Sequence, residues 1–453
     1  MSAIDAVLWG SAVVFAVVLI AFPAAGRKVA PLVLALLGVG AVMQWAVGGY
    51  WHMWPVYLLI VLMLGYVLTD ADPPRRRVVA RTGLGVLAAV SIVPWAVPPA
   101  PSLTTPSGPY AVGSEIFRWV DESRGEPATE ADDRRNVVVQ AWYPTTVGSG
   151  RQWRYLDGLD ALPGRVSQIP GFLLRESWRI DTHATAQAPV SGERTRWPVV
   201  LFSPGYGAPR AFYTGLLTDL ASRGFVVLAI DHPYESGVTE LADGTVATTV
   251  EHFPADDPDG LRFMTERLET RTADLRFVLD QLDRPETIGL LATHLDTATI
   301  TATGHSLGGA TALAALDADP RLRAAANIDG TLYGALPDHT LTRPVLLLES
   351  DHADTGHSQR YLDGNAALLD HLTAPGFRYE LADADHYSFT DVPHFLAAPA
   401  RFAVTHLLGG TRGPDATQHA TNDILTPFLT GDHSAIPTAA ATHPGITGGP
   451  IPG

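Results

Sequence analysis

Cysteine is absent from the 453 residues. That excludes a disulfide framework, a Cys-ligated zinc site, an iron–sulfur cluster and a cysteine nucleophile. Positive charge is scarce as well: 31 Lys and Arg face 47 Asp and Glu, a formal net charge of −16. The imbalance is uneven along the chain. Residues 1–99 hold six basic groups (Arg27, Lys28, Arg75, Arg76, Arg77, Arg81) and three acidic ones (Asp5, Asp70, Asp72), so they sit at +3 and the remainder at −19. A remainder that acidic repels a phosphate backbone and carries no basic stripe, so no nucleic-acid partner is expected. No internal repeat is present.

What the first hundred residues do have is four apolar runs without a charged side chain: Ala6–Phe22, Pro31–Val47, Pro55–Leu68 and Gly83–Val97. Each is at or slightly under the length needed to cross about 30 Å of hydrocarbon at 1.5 Å per residue. Tyr50, Trp51 and Trp54 extend the third run and suit the headgroup level. Four transmembrane helices in residues 1–98 are therefore expected. A cleaved signal peptide is disfavoured, because Asp5 and no Lys or Arg precedes the first run. Arg27–Lys28 falls between runs one and two, and Arg75–Arg77 with Arg81 between three and four. The positive-inside rule makes both cytoplasmic and puts everything after Val97 on the extracytoplasmic face of the plasma membrane. The lipid bilayer is thus an expected partner.

Residues 99–110 are rich in Pro and small polar residues and read as a linker. Beyond them, short β-like runs (137–142, 199–202, 225–230, 300–303, 324–328, 345–348, 378–381) alternate with helical patterns (211–223, 265–282, 307–317, 357–371, 392–408). Near-continuous apolar strands separated by helices predict an α/β domain over 111–430, with a mostly parallel sheet flanked by helices. Two excursions, 151–196 and 235–260, are expected to shape a substrate pocket. The tail 431–453, mostly Gly, Pro, Ala and Thr, is expected to be disordered. Arg267, Arg271 and Arg276 alternate with Glu266, Glu269 and Asp274, which reads as a solvent-facing charged surface. Asp231-His232, at a strand end, reads as structural.

The sharpest signal is Gly304-His305-Ser306-Leu307-Gly308, directly after one predicted strand and directly before a helix. A serine on so tight a strand-to-helix turn needs glycines two before and two after it, and its hydroxyl then stands at the carboxyl edge of the sheet. Such a nucleophile elbow belongs to the α/β-hydrolase fold, in which an acid and then a histidine follow in the chain. His386, on the loop after the last predicted strand, suits the base. Asp329 after one strand, or Asp351 or Asp354 after the next, suits the orienting carboxylate. The amide of Leu307 and one from the Pro204-Gly205-Tyr206-Gly207 turn, best Tyr206, suit an oxyanion hole. No metal or organic cofactor is required.

The runs Val200-Leu201-Phe202-Ser203-Pro204-Gly205-Tyr206-Gly207, Ala229-Ile230-Asp231-His232 and Gly304-His305-Ser306-Leu307-Gly308-Gly309 carry a resemblance, as does His386 followed by Phe389-Thr390-Asp391. Over roughly residues 110–430 the chain resembles the platelet-activating-factor acetylhydrolase family of the plasma and intracellular type II kind. It departs from that family at Pro204, where histidine usually precedes the Gly-x-Gly turn, and in its membrane runs, which resemble those of bacterial relatives. The resemblance implies Asp329 as the acid and calcium-independent cleavage of short or oxidised acyl chains from the sn-2 position of phospholipids. Bacterial cutinases are a similar relative whose acid would match Asp351 or Asp354. A non-catalytic scaffold, a peptidase and an acyltransferase are the competing functions on the same fold.

Overall fold

The structure is a computed structural model that describes residues 3–48, 51–69, 74–97, 101–129, 132–148, 150–166, 169–249, 259–397 and 410–451. The chain divides into two compact units, one of Met1–Pro101 with Phe395–Ala400, the other of Ser102–His394 with Arg401–Gly453.

The first unit holds four helices: α1 (Ala3–Ala21), α2 (Pro23–Gly48), α3 (Trp54–Leu68) and α4 (Pro74–Val90), the last followed by a 3-10 turn, Val93–Ala96. Their lengths and composition suffice to cross a membrane. Only a narrow seam is internal, with Leu8, Ala12, Phe15 and Leu19 clustering with Leu59, Met63 and Leu84. Val14, Leu32, Val42, Val61 and Leu68 point outward and exposed. An apolar outer face of that extent suggests membrane association. Arg27 lies in the second turn of α2 and Arg75–Arg77 in the first turn of α4, not in loops as the sequence suggested. Arg27 donates to the carbonyls of Tyr66 and Thr69, and Arg81 to the Tyr66 hydroxyl, so both basic segments meet the same end of α3. Tyr50 lies outside the described residues.

The second unit is built on a ten-stranded sheet. Its strands are β1 (Ala111–Gly125), β2 (Arg134–Thr145), β3 (Ala184–Ala186), β4 (Trp197–Ser203), β5 (Val226–Asp231), β6 (Leu295–His305), β7 (Leu322–Ile328), β8 (Val345–Ser350), β9 (Gly376–Leu381) and β10 (Ile446–Ile451). The spatial order is β10-β9-β8-β7-β6-β4-β5-β2-β1-β3. The six strands from β9 to β5 run parallel, and antiparallel pairs flank them at both sides. Val199, Leu201, Val226 and Leu228 pack one face against Leu275 and Leu279 of α6 (Asp259–Leu282) and Leu313 and Leu316 of α7 (Leu307–Ala318). Helices α5 (Thr214–Ser222) and α9 (Pro414–Thr430) contact each other and bury Leu217, Leu220, Ile424 and Phe428. Between them in sequence lies α8 (Gln359–Asp370). Helices on both faces of a mostly parallel sheet give the expected α/β-hydrolase architecture.

Four expectations change. The linker forms no helix or strand over 101–110, but it is docked rather than loose. Ser107 donates its amide and hydroxyl to Asp219, and a Cβ on Gly108 would stand 2.1 Å from the Ser222 carbonyl. The tail is ordered up to Ile451. Helix α10 (Ile436–Ala441) buries Ile436 and Ala440, and β10 completes the sheet edge by antiparallel pairing to β9. Backbone hydrogen bonds hold it, so its poverty in side chains did not matter. At Gly448, φ is 114° and a Cβ would stand 2.1 Å from the Arg378 carbonyl, so only glycine fits. The charged residues of α6 divide rather than all facing solvent: Glu266, Glu269 and Arg276 are exposed, but Arg267, Arg271 and Asp274 are buried. They share the i, i+4, i+7 stripe with Met264, Leu268 and Leu275, and Arg271 and Asp274 are neutralised by Glu235, Arg124 and Arg135 on other elements. Finally, the helix expected over 392–408 is a 3-10 turn at Val392–Phe395, and 398–409 lie outside the described residues.

Candidate active site

Ser306 stands between β6 and α7 with φ 56° and ψ −127°. A non-glycine residue there is strained, and the strain is held by the packing of its neighbours. A Cβ on Gly304 would lie 2.3 Å from the Gly308 carbonyl, and one on Gly308 would lie 1.9 Å from that of Ser203. Only glycine permits the helix to begin so close to the strands. The Ser306 amide donates to the carbonyl of Ile328, the last residue of β7 (2.8 Å). The adjacent turn therefore starts beside the serine.

That turn is Asp329-Gly330. Asp329 has φ 52° and is buried. The Asn327 side chain braces it, accepting from the Gly330 amide (2.9 Å) and donating to its carbonyl (2.8 Å). Asp329 Oδ2 lies 2.6 Å from His386 Nδ1. Its Oδ1 accepts from the amide and hydroxyl of Ser350 (both 2.9 Å) and the Tyr361 hydroxyl (3.2 Å), with His357 Nε2 at 3.3 Å. Burial alone would raise its pKa, but the hydrogen bonds from His357 and His386, with their charges, hold it well below the usual carboxylate range. The acid is ionised.

His386 is about one-third exposed and opens a 3-10 turn, His386–Phe389. Asp385 caps that turn, accepting from the amides of Tyr387 and Ser388 while Ser388 Oγ accepts from its own amide. The His386 carbonyl accepts from His305 Nε2 (2.8 Å). His305 Nδ1 accepts from the Tyr213 hydroxyl (2.8 Å), which itself accepts from the Gly205 amide (3.0 Å). Burial, then the nearby His386 charge, pushes His305 down to about 3, so this bridge is neutral. One chain of hydrogen bonds thereby ties the Gly205 turn, the serine turn and the histidine loop.

Ligand atoms of His305, Asp329 and His386 lie within 4.8 Å of one another. The donor set does not suit a metal ion, because both His305 nitrogens and His386 Nδ1 are already engaged in the contacts above. Asp351 is elsewhere, accepting from the Ala353 amide (2.9 Å) and the Asp383 amide (2.8 Å). Asp354 falls in the short helix His352–Thr355, and its side chain lies outside the described residues. Leu307 is the buried first residue of α7, where helix amides lack intrahelical partners. Tyr206 is half-buried with its ring 5.6 Å from that of Phe263. The Gly205 amide is taken by Tyr213, so within that turn Tyr206 remains the better candidate donor. Sequence reasoning missed His357, Ser350, Tyr361, Asn327 and Tyr213. Asn327 acts within its own turn, three residues from Gly330, while the other four come from parts of the chain remote from the groups they bond.

The excursions also wall a cavity of about 950 Å³, with Trp153, Asp157, Trp178 and Glu240 among its lining residues beside Arg118 and Arg210. Arg118 is on β1, four inter-strand steps from β6, or about 19 Å at about 4.8 Å per step.

The sequence profile of the family described as platelet-activating factor acetylhydrolase, isoform II, matches residues 99–252 and 278–362, more than half of the chain. The chain belongs to that family. Ser306 and Asp329 fall inside the matched stretches of the acetylhydrolase profile, whereas His386 lies beyond them and contacts Asp329. Among curated relatives, the chain is 27% identical over 259 residues to a probable 1-alkyl-2-acetylglycerophosphocholine esterase of Arthroderma benhamiae, covering 51% of this chain and 59% of that one. It is 30% identical over 285 residues to the platelet-activating factor acetylhydrolase of Canis lupus familiaris, covering 54% and 59%. The chain thus spans about three fifths of the length of these relatives. A solved ferulic acid esterase from Streptomyces cinnamoneus superposes with a TM-score of 0.65 and 26% identity, covering 77% of this chain and 99% of that one.

Proposed function

We propose that this acetylhydrolase-family chain is a membrane-anchored serine carboxylic-ester hydrolase. The observation that carries the reading is the 2.6 Å contact of Asp329 with His386, made from a turn that begins beside the strained Ser306. His386 takes the proton of Ser306, and the alkoxide attacks the ester carbonyl. The amides of Leu307 and Tyr206 hold the oxyanion. His386 then protonates the leaving alcohol, and water activated by the same imidazole releases the acid from the acyl-enzyme. Asp329, ionised and fully bonded, keeps Nδ1 protonated and stabilises the imidazolium.

The names of the relatives support an acetyl ester at position 2 of a glycerophosphocholine as substrate, within the short or oxidised sn-2 acyl chains that the family resemblance implies. The apolar outer face of α1 to α4 supports a bilayer anchor that keeps the enzyme beside them. The meeting of Arg27 and Arg81 at one end of α3 supports a topology in which both basic segments are cytoplasmic and the hydrolase unit is extracytoplasmic. The ferulic acid esterase likeness supports a second reading, in which the acid half of the ester is aromatic.

The test is hydrolysis by the full chain in detergent of p-nitrophenyl esters from two to sixteen carbons, methyl ferulate and a phospholipid acetylated at sn-2. A maximum at two to four carbons with release of acetate from the phospholipid supports the first reading. Preference for the ferulate moves the second forward, and a folded chain inert on all three overturns both.

A further inference from the structure

Beneath the turn that carries Tyr206 lies a second array of the residue types found at the active site. Ser203, the last residue of β4, has Oγ 2.9 Å from His232 Nε2, and His232 Nδ1 is 2.8 Å from Asp274 Oδ2 on α6. Asp274 also receives Arg135 Nη2 (2.6 Å) and Arg124 Nη2 (2.8 Å). Burial opposes its charge, but Arg135 and the His232 hydrogen bond override it and keep the carboxyl ionised. An ionised carboxylate only accepts, so Nδ1 carries the ring proton. Burial, then the Arg271 charge, pushes His232 down to about 4. The ring is therefore neutral, its Nε2 accepts, and the Ser203 hydroxyl donates. Ser203, His232 and Asp274 all have 0% exposure, so no ester reaches this hydroxyl.

What the array holds is the backbone around the reacting atoms. The Ser203 carbonyl is wedged into the serine turn: a Cβ on Gly304 would lie 2.6 Å from it and one on Gly308 1.9 Å. The next carbonyl, that of Pro204, accepts from Arg271 Nη1 (2.6 Å), and Arg271 is itself fixed by Glu235 (2.6 Å). The peptides leading to Tyr206 are thus gripped from below by two residues of α6, Asp274 through His232 and Arg271 directly. Oxyanion donors act by being fixed before charge develops, so a turn free to shift loses transition-state stabilisation and little ground-state binding.

We propose that Asp274, His232 and Arg271 are positioning residues for the oxyanion hole, acting through Ser203 Oγ and the Pro204 carbonyl to hold the turn that presents the Tyr206 amide. This rests on the hydrolase reading above. The experiment compares full-length Ser203→Ala, Arg271→Met and Arg271→Lys with wild type in detergent. Arg276→Ala, on the exposed side of α6, serves as control. Reactive sites are counted with a p-nitrophenyl alkylphosphonate. Ser306 Oγ forms a bond to phosphorus, the bond to the aryl oxygen breaks, and one p-nitrophenolate leaves per reactive serine.

Per titrated site, kcat on p-nitrophenyl acetate falls about 10- to 100-fold in Ser203→Ala and Arg271→Met, with KM within about twofold. Phosphonylation slows in parallel, because the phosphoryl oxygen occupies the same hole. Arg271→Lys, which can still donate to Pro204, recovers part of the loss, and Arg276→Ala matches wild type. Unchanged kcat per titrated site in the folded variants, with only a lower Tm, overturns the proposal. If Arg271→Met does not fold, Ser203→Ala and Arg271→Lys decide. An inert, unlabelled but folded wild type sinks the hydrolase reading and this inference together, whereas an active wild type with unaffected variants sinks this inference alone.

Discussion

Two Asp–His pairs lie near the carboxyl edge of the sheet, and their contacts are nearly equal: 2.6 Å for Asp329–His386 and 2.8 Å for Asp274–His232. Their surroundings are not. Asp329 is bonded by a serine, a tyrosine and histidines, while Asp274 is gripped by two guanidinium groups. His386 keeps about one-third of its side chain in solvent, and His232 keeps none. An imidazole that must carry a transient positive charge needs a counter-ion that is not already neutralised and some access to water. The first pair has both and the second has neither. Residue type and contact distance alone do not separate the candidate catalytic pair from the sealed one.

The comparison breaks most visibly at the nucleophile. Ser306→Ala and Asp329→Asn each lower kcat/KM on p-nitrophenyl esters by about 10³-fold or more; Tm barely moves in Ser306→Ala, whereas Asp329→Asn also loses stability, because its buried carboxylate is held ionised by several hydrogen bonds. Asp274→Asn reverses the weighting. It takes one carboxylate from the buried Arg135, which keeps Glu126, and from the partly exposed Arg124, which keeps Asp121, so denaturant titration should register a loss of up to about 3–5 kcal/mol, with activity per reactive site reduced far less.

A finer contrast comes from Asp391, at the end of the histidine loop, which accepts from the Gly215 amide and the Tyr155 hydroxyl. Burial pushes this carboxyl up to about 7. Its folded pKa is above the unfolded one, so its contribution to stability is full below about pH 4 and is lost as pH rises to about 7. The Tm of Asp391→Asn should therefore gain on wild type across that window, and a constant difference would refute the assignment. Smallest of all, Asp351→Asn should change kcat/KM by less than about threefold, because its carboxyl accepts from backbone amides away from His386. A triad-sized loss there would return the acid to Asp351.

The legible parts of the fold were those written in apolar side chains: the four membrane-length runs, the parallel strands and the alternation with helices. β1 was missed because a half-exposed antiparallel strand, with Glu115, Arg118 and Asp121 in it, shows no continuous apolar run. β10 was missed because it is held by its backbone. The inner face of α6 was misread because Arg271 and Asp274 were judged by charge alone. Their spacing with Met264, Leu268 and Leu275 was the signal that could have placed them inside.

At the candidate site, Ser306 was legible because a serine turn with glycine on both sides has few other uses between a strand and a helix. His386 and Asp329 were legible as chain order, acid before histidine. Strand ends alone left Asp329 and Asp351 open, since both follow strands that end at the same edge; the family resemblance pointed to Asp329, and the structure brings that carboxylate to His386. By itself the sequence determined local things: which segments are apolar enough for lipid or core, where glycine is obligatory, and which turn carries the candidate serine. Only the tertiary structure decided which carboxylate meets His386, that His357 and Tyr361 bond that carboxylate, and that Ser203, His232 and Asp274 form a sealed array. Those are contacts between residues tens of positions apart, set by strand order and register, and burial then fixes which of them can ionise.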